Sequence, residues 1–217
     1  WHQPGFNADE MPQAVETGTA GSRPWNKLVL RPIPLWKVGE LQDYPSQVRN
    51  GDTIVCTLPY NAQITPYIKL KASSGDKVQI FTDNYLKYNG GDNYLRCEYI
   101  ARDGVQDYEN KGWTNGHRVY YVVPADAEVM ELKFRESGYD TEFVGTFECS
   151  DPEFNRFLTK AVRTLYITMR DTYMDCPDRE RSQWTGDVVN ESGEAFYALS
   201  ESANRLTRKW LHNLAGW

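Results

Sequence analysis

Long apolar runs are absent from this sequence, and so is any cluster of basic residues. No apolar run approaches the roughly 18 to 20 residues of a membrane-spanning helix. The start of the chain shows neither the basic segment nor the apolar segment of a signal peptide. The 24 Lys and Arg residues are scattered and outnumbered by 30 Asp and Glu residues. We therefore expect a soluble protein with no membrane span and no nucleic-acid partner.

Histidine and cysteine are also scarce. Three His residues accompany four Cys residues, and the cysteines have no CxxC spacing, which argues against a zinc site. We predict no cofactor and no metal-ligating residue; a calcium ion in the β-domain stays open, although no segment has the ligand spacing of a calcium loop. Four cysteines are too few for a disulfide-stapled scaffold. We expect free thiols that pack as small apolar side chains at Cys56, Cys97, Cys149 and Cys176.

The middle of the chain has an apolar period of two, which is typical of β-strands. Turn signals separate the apolar runs, and this spacing favours an antiparallel β-sandwich over residues 51–147. Residues 1–50 are rich in Pro, Gly and polar residues, and we interpret them as the tail of a preceding β-domain and a linker. The turn signals are Ser74-Gly75-Asp76, Asn89-Gly90-Gly91-Asp92, Asp103-Gly104, Asn115-Gly116 and Pro124-Ala125-Asp126.

After Gly145 the period changes to that of a helix. Ser150-Asp151-Pro152-Glu153 has the pattern of a capping box, in which the serine caps a helix and the glutamate reaches back. Further helices are predicted from about Thr185 to Leu199 and from about Ser202 to the end. These helices would begin an all-α domain, residues 148–217, that the chain does not complete. The apolar stripe expected to be core is Phe154, Phe157, Leu158, Ala161, Val162, Leu165, Tyr166, Met169 and Tyr173.

Between the first two predicted helices, the strip DCPDRERSQWTGD runs from Asp175 to Asp187 and combines carboxylates, arginines and a tryptophan. Hydrolysis of a glycosidic bond needs a carboxylic acid for the leaving oxygen, a second carboxylate, and groups that hold sugar hydroxyls. An indole face suits the apolar face of a pyranose. Crowded carboxylates raise one another's pKa, whereas nearby arginines lower it. The composition of the strip therefore points to glycoside hydrolysis.

The strip is similar to the DCPxRxERxGWxGD signature of bacterial α-L-rhamnosidases, which are six-hairpin glycosidases. Upstream segments resemble the same family, among them Leu58-Pro59-Tyr60-Asn61 and Trp113-Thr114-Asn115-Gly116. The resemblance implies a multidomain architecture of β and α type. An antiparallel β-sandwich would be followed by the first helices of an incomplete (α/α)6 barrel, and the chain would be an internal piece of the enzyme.

The resemblance also implies roles for single residues. Glu180 would be the general acid of an inverting hydrolase that removes terminal α-L-rhamnose, and the general base would lie beyond residue 217. Asp175 and Asp187 would hold rhamnose hydroxyls, Arg179 would share the pocket, and Trp184 would form a wall of it. The piece by itself would then be inactive. The expected partner is a rhamnose-containing carbohydrate.

Other interpretations of the same residues stay open. Glu180 could form a surface ion pair with a neighbouring arginine, Asp187 could cap the second helix, and Trp184 could be core. Glu191 and Glu194 are rivals for a catalytic role, because they follow Asp187 on one helix.

Two alternatives concern the whole protein. Gln183 stands where the family pattern has Gly, so an enzyme that acts on another α-L-sugar is one alternative. The other is a carbohydrate-binding β-sandwich, in which Tyr85, Tyr88 and Trp113 would form the binding face. The oligomeric state is open, and a periplasmic or secreted location is favoured for the parent enzyme.

Overall fold

The computed structural model describes residues 5, 7–9, 11–24, 28–84 and 97–216. The chain divides into two units, residues 1–31 and residues 32–217. The described part of the first unit contains turns and neither a helix nor a strand. One of these turns is closed by a hydrogen bond from the Ser22 amide to the Thr19 carbonyl at 3.0 Å.

The second unit begins with an antiparallel sheet of nine strands, in which the main order is β1-β9-β4-β8-β5-β6. Three short strands precede residue 51, and β2, β3 and β7 pair at the side of this main order. The domain boundaries suggested by the sequence remain predictions. The strands are β1 (Lys37–Val38), β2 (Gln42–Asp43), β3 (Ser46–Asn50), β4 (Thr53–Ala72), β5 (Lys77–Thr82), β6 (Cys97–Ile100), β7 (Gly104–Glu109), β8 (Thr114–Val122) and β9 (Glu128–Gly138).

The long strand β4 is what curls the sheet. Its first part pairs with β3 and β8, and its second part pairs with β7 and β9. The register with β8 shifts between Thr57 and Ala62, and such an irregularity bends a strand. The apolar side chains of both parts meet in one core that includes Ile54, Ile68 and Tyr121. The predicted antiparallel sandwich is confirmed as this curled, two-layered sheet.

Most described turn signals coincide with turns, but Asn115-Gly116 does not. Both residues lie in β8, where Asn115 pairs with Gln63 and Gly116 pairs with Ala62 of β4. A side chain at Gly116 would place its Cβ 2.6 Å from Asp83 Oδ1, so close packing rather than a turn explains this glycine. The signal at Asn89–Asp92 lies outside the described residues.

Three helices follow the sheet: α1 (Pro152–Ile167), α2 (Thr185–Ala198) and α3 (Ala203–Ala215). The predicted first helix begins as expected with proline in its first turn, but the capping residue was wrong. Asp151, not Ser150, accepts hydrogen bonds from the Glu153 and Phe154 amides, at 2.9 and 3.4 Å. Asp151 caps because it stands directly before Pro152, where its side chain reaches the first free amides.

The apolar stripe that the sequence predicts to be core is buried only in its second half, and its last two members, Met169 and Tyr173, lie beyond the end of α1 at Ile167. Leu165, Met169 and Tyr173 join α2 and α3 in a second apolar core around Leu206. Phe154 and Phe157, near the start of α1, are 52% and 64% exposed. Their rings contact each other, and the ring of Phe147 contacts Phe154.

Two further expectations from the sequence concern membrane-spanning helices and the state of the cysteines. No helix among them has the length and apolar character that crossing a membrane requires. All four cysteines are free, as expected, and Cys56 is fully buried in the sheet core, but Cys97, Cys149 and Cys176 are partly exposed rather than buried.

Candidate active site

Residues Asp175 to Gln183 of the strip are non-helical, as predicted, and they precede α2. The two ends of this segment are tied together by Asp175 and Ser182. The Asp175 amide donates to the Ser182 carbonyl at 3.0 Å, and the Ser182 amide donates to Asp175 Oδ1 at 3.0 Å. The strip is therefore a closed loop, and one oxygen of Asp175 is already used to close it.

Glu180 lies on the outside of this loop and forms an ion pair. Its carboxylate accepts a hydrogen bond from Arg179 Nη2 and a second from Cys176 Sγ at 3.1 Å. Arg179, and to a lesser extent Cys176, lower the pKa of Glu180 to about 2. In this arrangement Glu180 is an anion at neutral pH, which is the opposite of what a general acid requires.

The other three predicted sugar-binding residues are also on the surface. The side chain of Arg179 is 70% exposed, Trp184 is 58% exposed, and Asp187 is exposed in the first turn of α2. Trp184 is therefore not a core residue. Asp187 does not cap α2, because the N-cap residue is Trp184 and no side chain makes a capping hydrogen bond. Trp184 and Asp187 are therefore accessible to a ligand, whereas Arg179 is accessible but paired with Glu180.

One face of the strip is anchored to the β-sheet. Asn84 Nδ2 donates to both carboxylate oxygens of Asp178, at 3.1 and 3.2 Å. Arg181 stacks on the indole of Trp113, with its guanidinium carbon 3.6 Å from the ring centroid. Burial raises the pKa of Asp178 and lowers that of Arg181. Asp178 and Arg181 therefore face inward, whereas Arg179 and Glu180 face outward.

The comparisons with known proteins agree with the sequence signature. Residues 142–216 match the family model of the bacterial α-L-rhamnosidase six-hairpin glycosidase domain. An α-L-rhamnosidase of Formosa agariphila is 27% identical over 169 residues, a match that covers 70% of this chain and 18% of the relative. The resemblance to bacterial α-L-rhamnosidases is confirmed.

Solved rhamnosidase structures share the fold. The Streptomyces avermitilis α-L-rhamnosidase, complexed with L-rhamnose, has a TM-score of 0.71 at 17% identity, over 87% of this chain and 19% of its own. The α-L-rhamnosidase from Dictyoglumus thermophilum has a TM-score of 0.71 at 19% identity, over 88% and 23% of the two chains. The present chain thus spans less than a quarter of the length of these rhamnosidases.

The sequence indicates Glu191, a carboxyl group near the strip, only as a rival to Glu180. Glu191 is half-buried on α2, and its Oε2 is buried with no hydrogen-bond partner among the described residues. Burial raises its pKa to about 7, and the charges of Asp187, Glu194 and Asp175 act in the same direction. Glu191 is therefore the group near the strip that titrates close to neutral pH.

One group in the strip has the ligand atoms of a metal site. Asp175, Cys176 and Glu180 offer atoms that all lie within 4.8 Å of one another. Glu180 is already neutralised by Arg179, and the group is partly exposed. The geometry therefore does not argue for a metal.

Two surface cavities, of about 430 and 850 Å³, lie beside α1 and contain no residue of the strip. Both are lined by Tyr60 and Arg163, which stack at 3.6 Å, and Arg163 pairs with Glu136 at 2.8 Å. Tyr60, Glu136 and Arg163 in the first cavity thus bind one another and join α1 to the sheet.

The sugar-binding face suggested for the β-domain gains no support from its described part. Tyr85 and Tyr88 lie outside the described residues. Trp113 is covered by the guanidinium of Arg181, so that face of the ring cannot stack on a sugar. Sequence reasoning missed this role of Trp113 and also missed Asn84, because their partners in the strip are far away along the chain.

Proposed function

We propose that this chain is part of a glycoside hydrolase that removes terminal α-L-rhamnose from glycosides or polysaccharides in one inverting step. The observation that carries this proposal is the match of residues 142–216 to the six-hairpin glycosidase domain. That range contains the whole strip from Asp175 to Asp187. The exposed side chains of the strip supply the residue types that the reaction needs.

In this proposal Glu180 protonates the leaving oxygen. Arg179, Asp187 and the second oxygen of Asp175 hold the hydroxyls of the sugar, and Trp184 stacks on its apolar face. The exposure of Arg179 and Trp184 supports these roles, because neither side chain is committed to the core. The alternative that acts on another α-L-sugar would use the same groups with a different arrangement of hydroxyls.

The ion pair between Arg179 and Glu180 must open before Glu180 can act as an acid. A sugar hydroxyl that binds Arg179 would remove the interaction that contributes most to the lowered pKa of Glu180. Burial under a substrate would then raise the pKa further, since desolvation favours the neutral carboxylic acid. Substrate binding would thus convert Glu180 from an ion-paired base into a protonated acid.

The general base in this proposal comes from outside these 217 residues. Inverting glycosidases separate their two carboxyl groups by roughly 6.5 to 9.5 Å, which leaves room for a water molecule. A carboxylate oxygen of Asp175 and one of Glu180 lie within 4.8 Å of each other, so these two groups are too close to be the acid and the base of an inverting pair. We therefore expect the 217-residue chain alone to have no activity.

The test is the Glu180→Gln variant of the full-length protein that carries this sequence. With p-nitrophenyl α-L-rhamnoside, we expect a loss of about 10²- to 10⁴-fold in kcat, which is the size of a general-acid contribution. NMR of the product should show the β-anomer first. The matched control is Glu153→Gln, because Glu153 is an exposed, ion-paired glutamate on α1.

Two outcomes would change the proposal. Unchanged turnover in the Glu180 variant would remove Glu180 from the mechanism and point to Glu191. Activity on a different α-L-glycoside, with no turnover of the rhamnoside, would keep the mechanism and change the sugar.

A further inference from the structure

Two arginines and two tryptophans form a stacked column beneath the strip. Arg170 lies between two indole rings, with its guanidinium carbon 4.0 Å from the ring centroid of Trp36 and 4.7 Å from that of Trp113. Arg181 stacks on Trp113 at 3.6 Å. Trp113 is thus contacted by two guanidinium groups, and the column runs from the segment before β1 to the strip.

The inner end of the column is Arg170, which is hydrogen-bonded to two strands of the sheet. Arg170 is 4% exposed, and its Nη1 donates to Gln63 Oε1 on β4 and to Ser137 Oγ on β9 at 3.2 Å. Gln63 is itself buried and donates to the Ile167 carbonyl at 2.6 Å. Arg170 therefore connects the sheet, the end of α1 and the ring of Trp113.

The outer end of the column is Arg181, which directly follows Glu180. Its Nε donates to the Pro177 carbonyl at 2.9 Å, and its Nη2 donates to the Trp113 carbonyl at 3.4 Å. Arg181 has a φ of +53°, and among the described residues it is the one non-glycine residue with positive φ. Such a conformation is unfavourable for a non-glycine residue and persists only where the surroundings impose it.

That backbone conformation divides the strip into an inner and an outer side. The Arg181 side chain turns in toward Trp113, whereas Glu180, one residue earlier, stays outside with Arg179. A second anchor on the same side is the contact of Asp178 with Asn84. The position of Glu180 is therefore set by inward-facing neighbours that bind the β-sheet.

We propose that Arg181 is a positioning residue for Glu180. Arg181 is itself held by stacking on Trp113, which Arg170 links to Trp36. The inference rests on the proposed function, because it assigns Arg181 a task only if Glu180 is the acid. Arg181 itself does not contact substrate. Its loss leaves the strip closed through Asp175 and Ser182 but releases the backbone at Glu180.

The test compares substrates that differ in their need for an acid. Phenyl α-L-rhamnoside has a poor leaving group that must be protonated, whereas fluoride leaves α-L-rhamnosyl fluoride as an anion with little help. In the full-length protein, Arg181→Met should lower kcat/KM for the phenyl rhamnoside about 10²-fold, the size of an effect from a misplaced group. The loss for the fluoride should stay under about 5-fold, because substrate binding is not affected.

A double variant separates positioning from general damage. If Arg181 acts through Glu180, the Glu180→Gln and Arg181→Met double variant should be no slower on the phenyl rhamnoside than Glu180→Gln alone. The matched control is Arg156→Met, since Arg156 is an exposed arginine on α1 paired only with Glu153. Trp113→Phe and Arg181→Lys are the milder variants if Arg181→Met fails to fold, as judged by circular dichroism and thermal melting.

The outcomes are distinguishable. Equal losses on both substrates, or multiplicative losses in the double variant, would show that Arg181 is merely structural and would overturn the inference. If Glu180→Gln itself fails to discriminate between the two substrates, the proposed acid is wrong. In that case the role of Arg181 falls with it.

Discussion

At the scale of single residues, Glu180 and Glu191 show how position decides the chemistry of identical side chains. Glu180 is exposed beside Arg179, which lowers its pKa to about 2. Glu191 is half-buried among other carboxylates, and burial raises its pKa to about 7. Pairs of acids whose pKa values are pushed apart are typical of glycosidase sites, where one acts as acid and another stays ionised. In the proposed function, substrate binding to Arg179 would raise the pKa of Glu180 and so allow Glu180 to be the protonated acid.

The raised pKa of Glu191 predicts a pH-dependent loss of stability. Below about pH 4.5 Glu191 is protonated in both the folded and the unfolded state, and it has no effect. As the pH rises toward about 7, the unfolded state ionises first, so the free energy of unfolding falls. Glu191→Gln removes this penalty.

We therefore expect Glu191→Gln to be more stable than the parent at about pH 8, by roughly 1 to 2 kcal/mol, since partial exposure screens the penalty. At about pH 4 the two should be equal. Urea denaturation at both pH values measures the difference. Glu153→Gln, a change at an exposed glutamate on α1 that is not among the charges acting on Glu191, is the control, and an equal gain there would contradict the assignment to Glu191.

At the scale of elements, α1 joins the sheet to the strip, and its start is secured by one side chain. Asp151 accepts from two amides in the first turn, and Ser150 takes no part in the cap. The half-buried pair of Arg163 and Glu136 then ties the middle of the helix to β9. The position of the strip after α1 therefore depends on local capping and on contacts of α1 with the sheet, among them this ion pair and the hydrogen bond from Gln63 to the Ile167 carbonyl.

The cap gives a direct test of the difference between sequence and structure. Asp151→Ala should lower the free energy of unfolding by about 1 kcal/mol, the usual cost of losing an N-cap side chain. Ser150→Ala should change it by less than about 0.5 kcal/mol. Chemical denaturation of both variants measures this, and the reverse order would restore the serine cap that the sequence suggested.

At the scale of the whole molecule, the helices are only partly covered. Phe154 and Phe157 on α1, Phe196 and Tyr197 on α2, and Leu211 on α3 are at least half exposed. Such apolar surface is usually covered by further protein. In the proposed function, more helices of a six-hairpin domain would pack against these side chains.

If further helices cover α2, Phe196→Ser should affect the free energy of unfolding differently in the 217-residue chain and in the full-length protein. In the 217-residue chain the substitution should change the free energy of unfolding by less than about 0.5 kcal/mol, as exposed positions do. In the full-length protein, where we expect the ring to be covered, it should cost about 2 to 4 kcal/mol. Leu206→Ala, at a position 1% exposed, should destabilise both proteins and serves as the control. Equal small effects of Phe196→Ser in both would show that nothing covers α2.

Much of this protein could be predicted from local pattern. The alternation of apolar residues in the strands, the steps of three and four in the helices, and Pro177 in the strip are signals between near neighbours. These signals were enough for strands β4, β5, β8 and β9, for helix starts close to those observed, and for the non-helical residues 175–183 of the strip, whereas the short strands β1, β2, β3, β6 and β7 were not predicted individually. The strip also carried the family signature in consecutive residues, so the resemblance required no knowledge of the fold.

What the tertiary structure decided depends on residues that are distant in the chain. The pairing of Asn84 with Asp178, and the stacking of Trp36, Arg170, Trp113 and Arg181, follow from how β4 bends and where α1 ends. The turn signal at Asn115-Gly116 failed for the same reason, since pairing with β4 outweighed a local preference. The sequence by itself determined the elements and the chemical groups of the strip, because these depend on neighbouring residues. Only the fold decided which of those groups face outward, because that depends on contacts with the sheet.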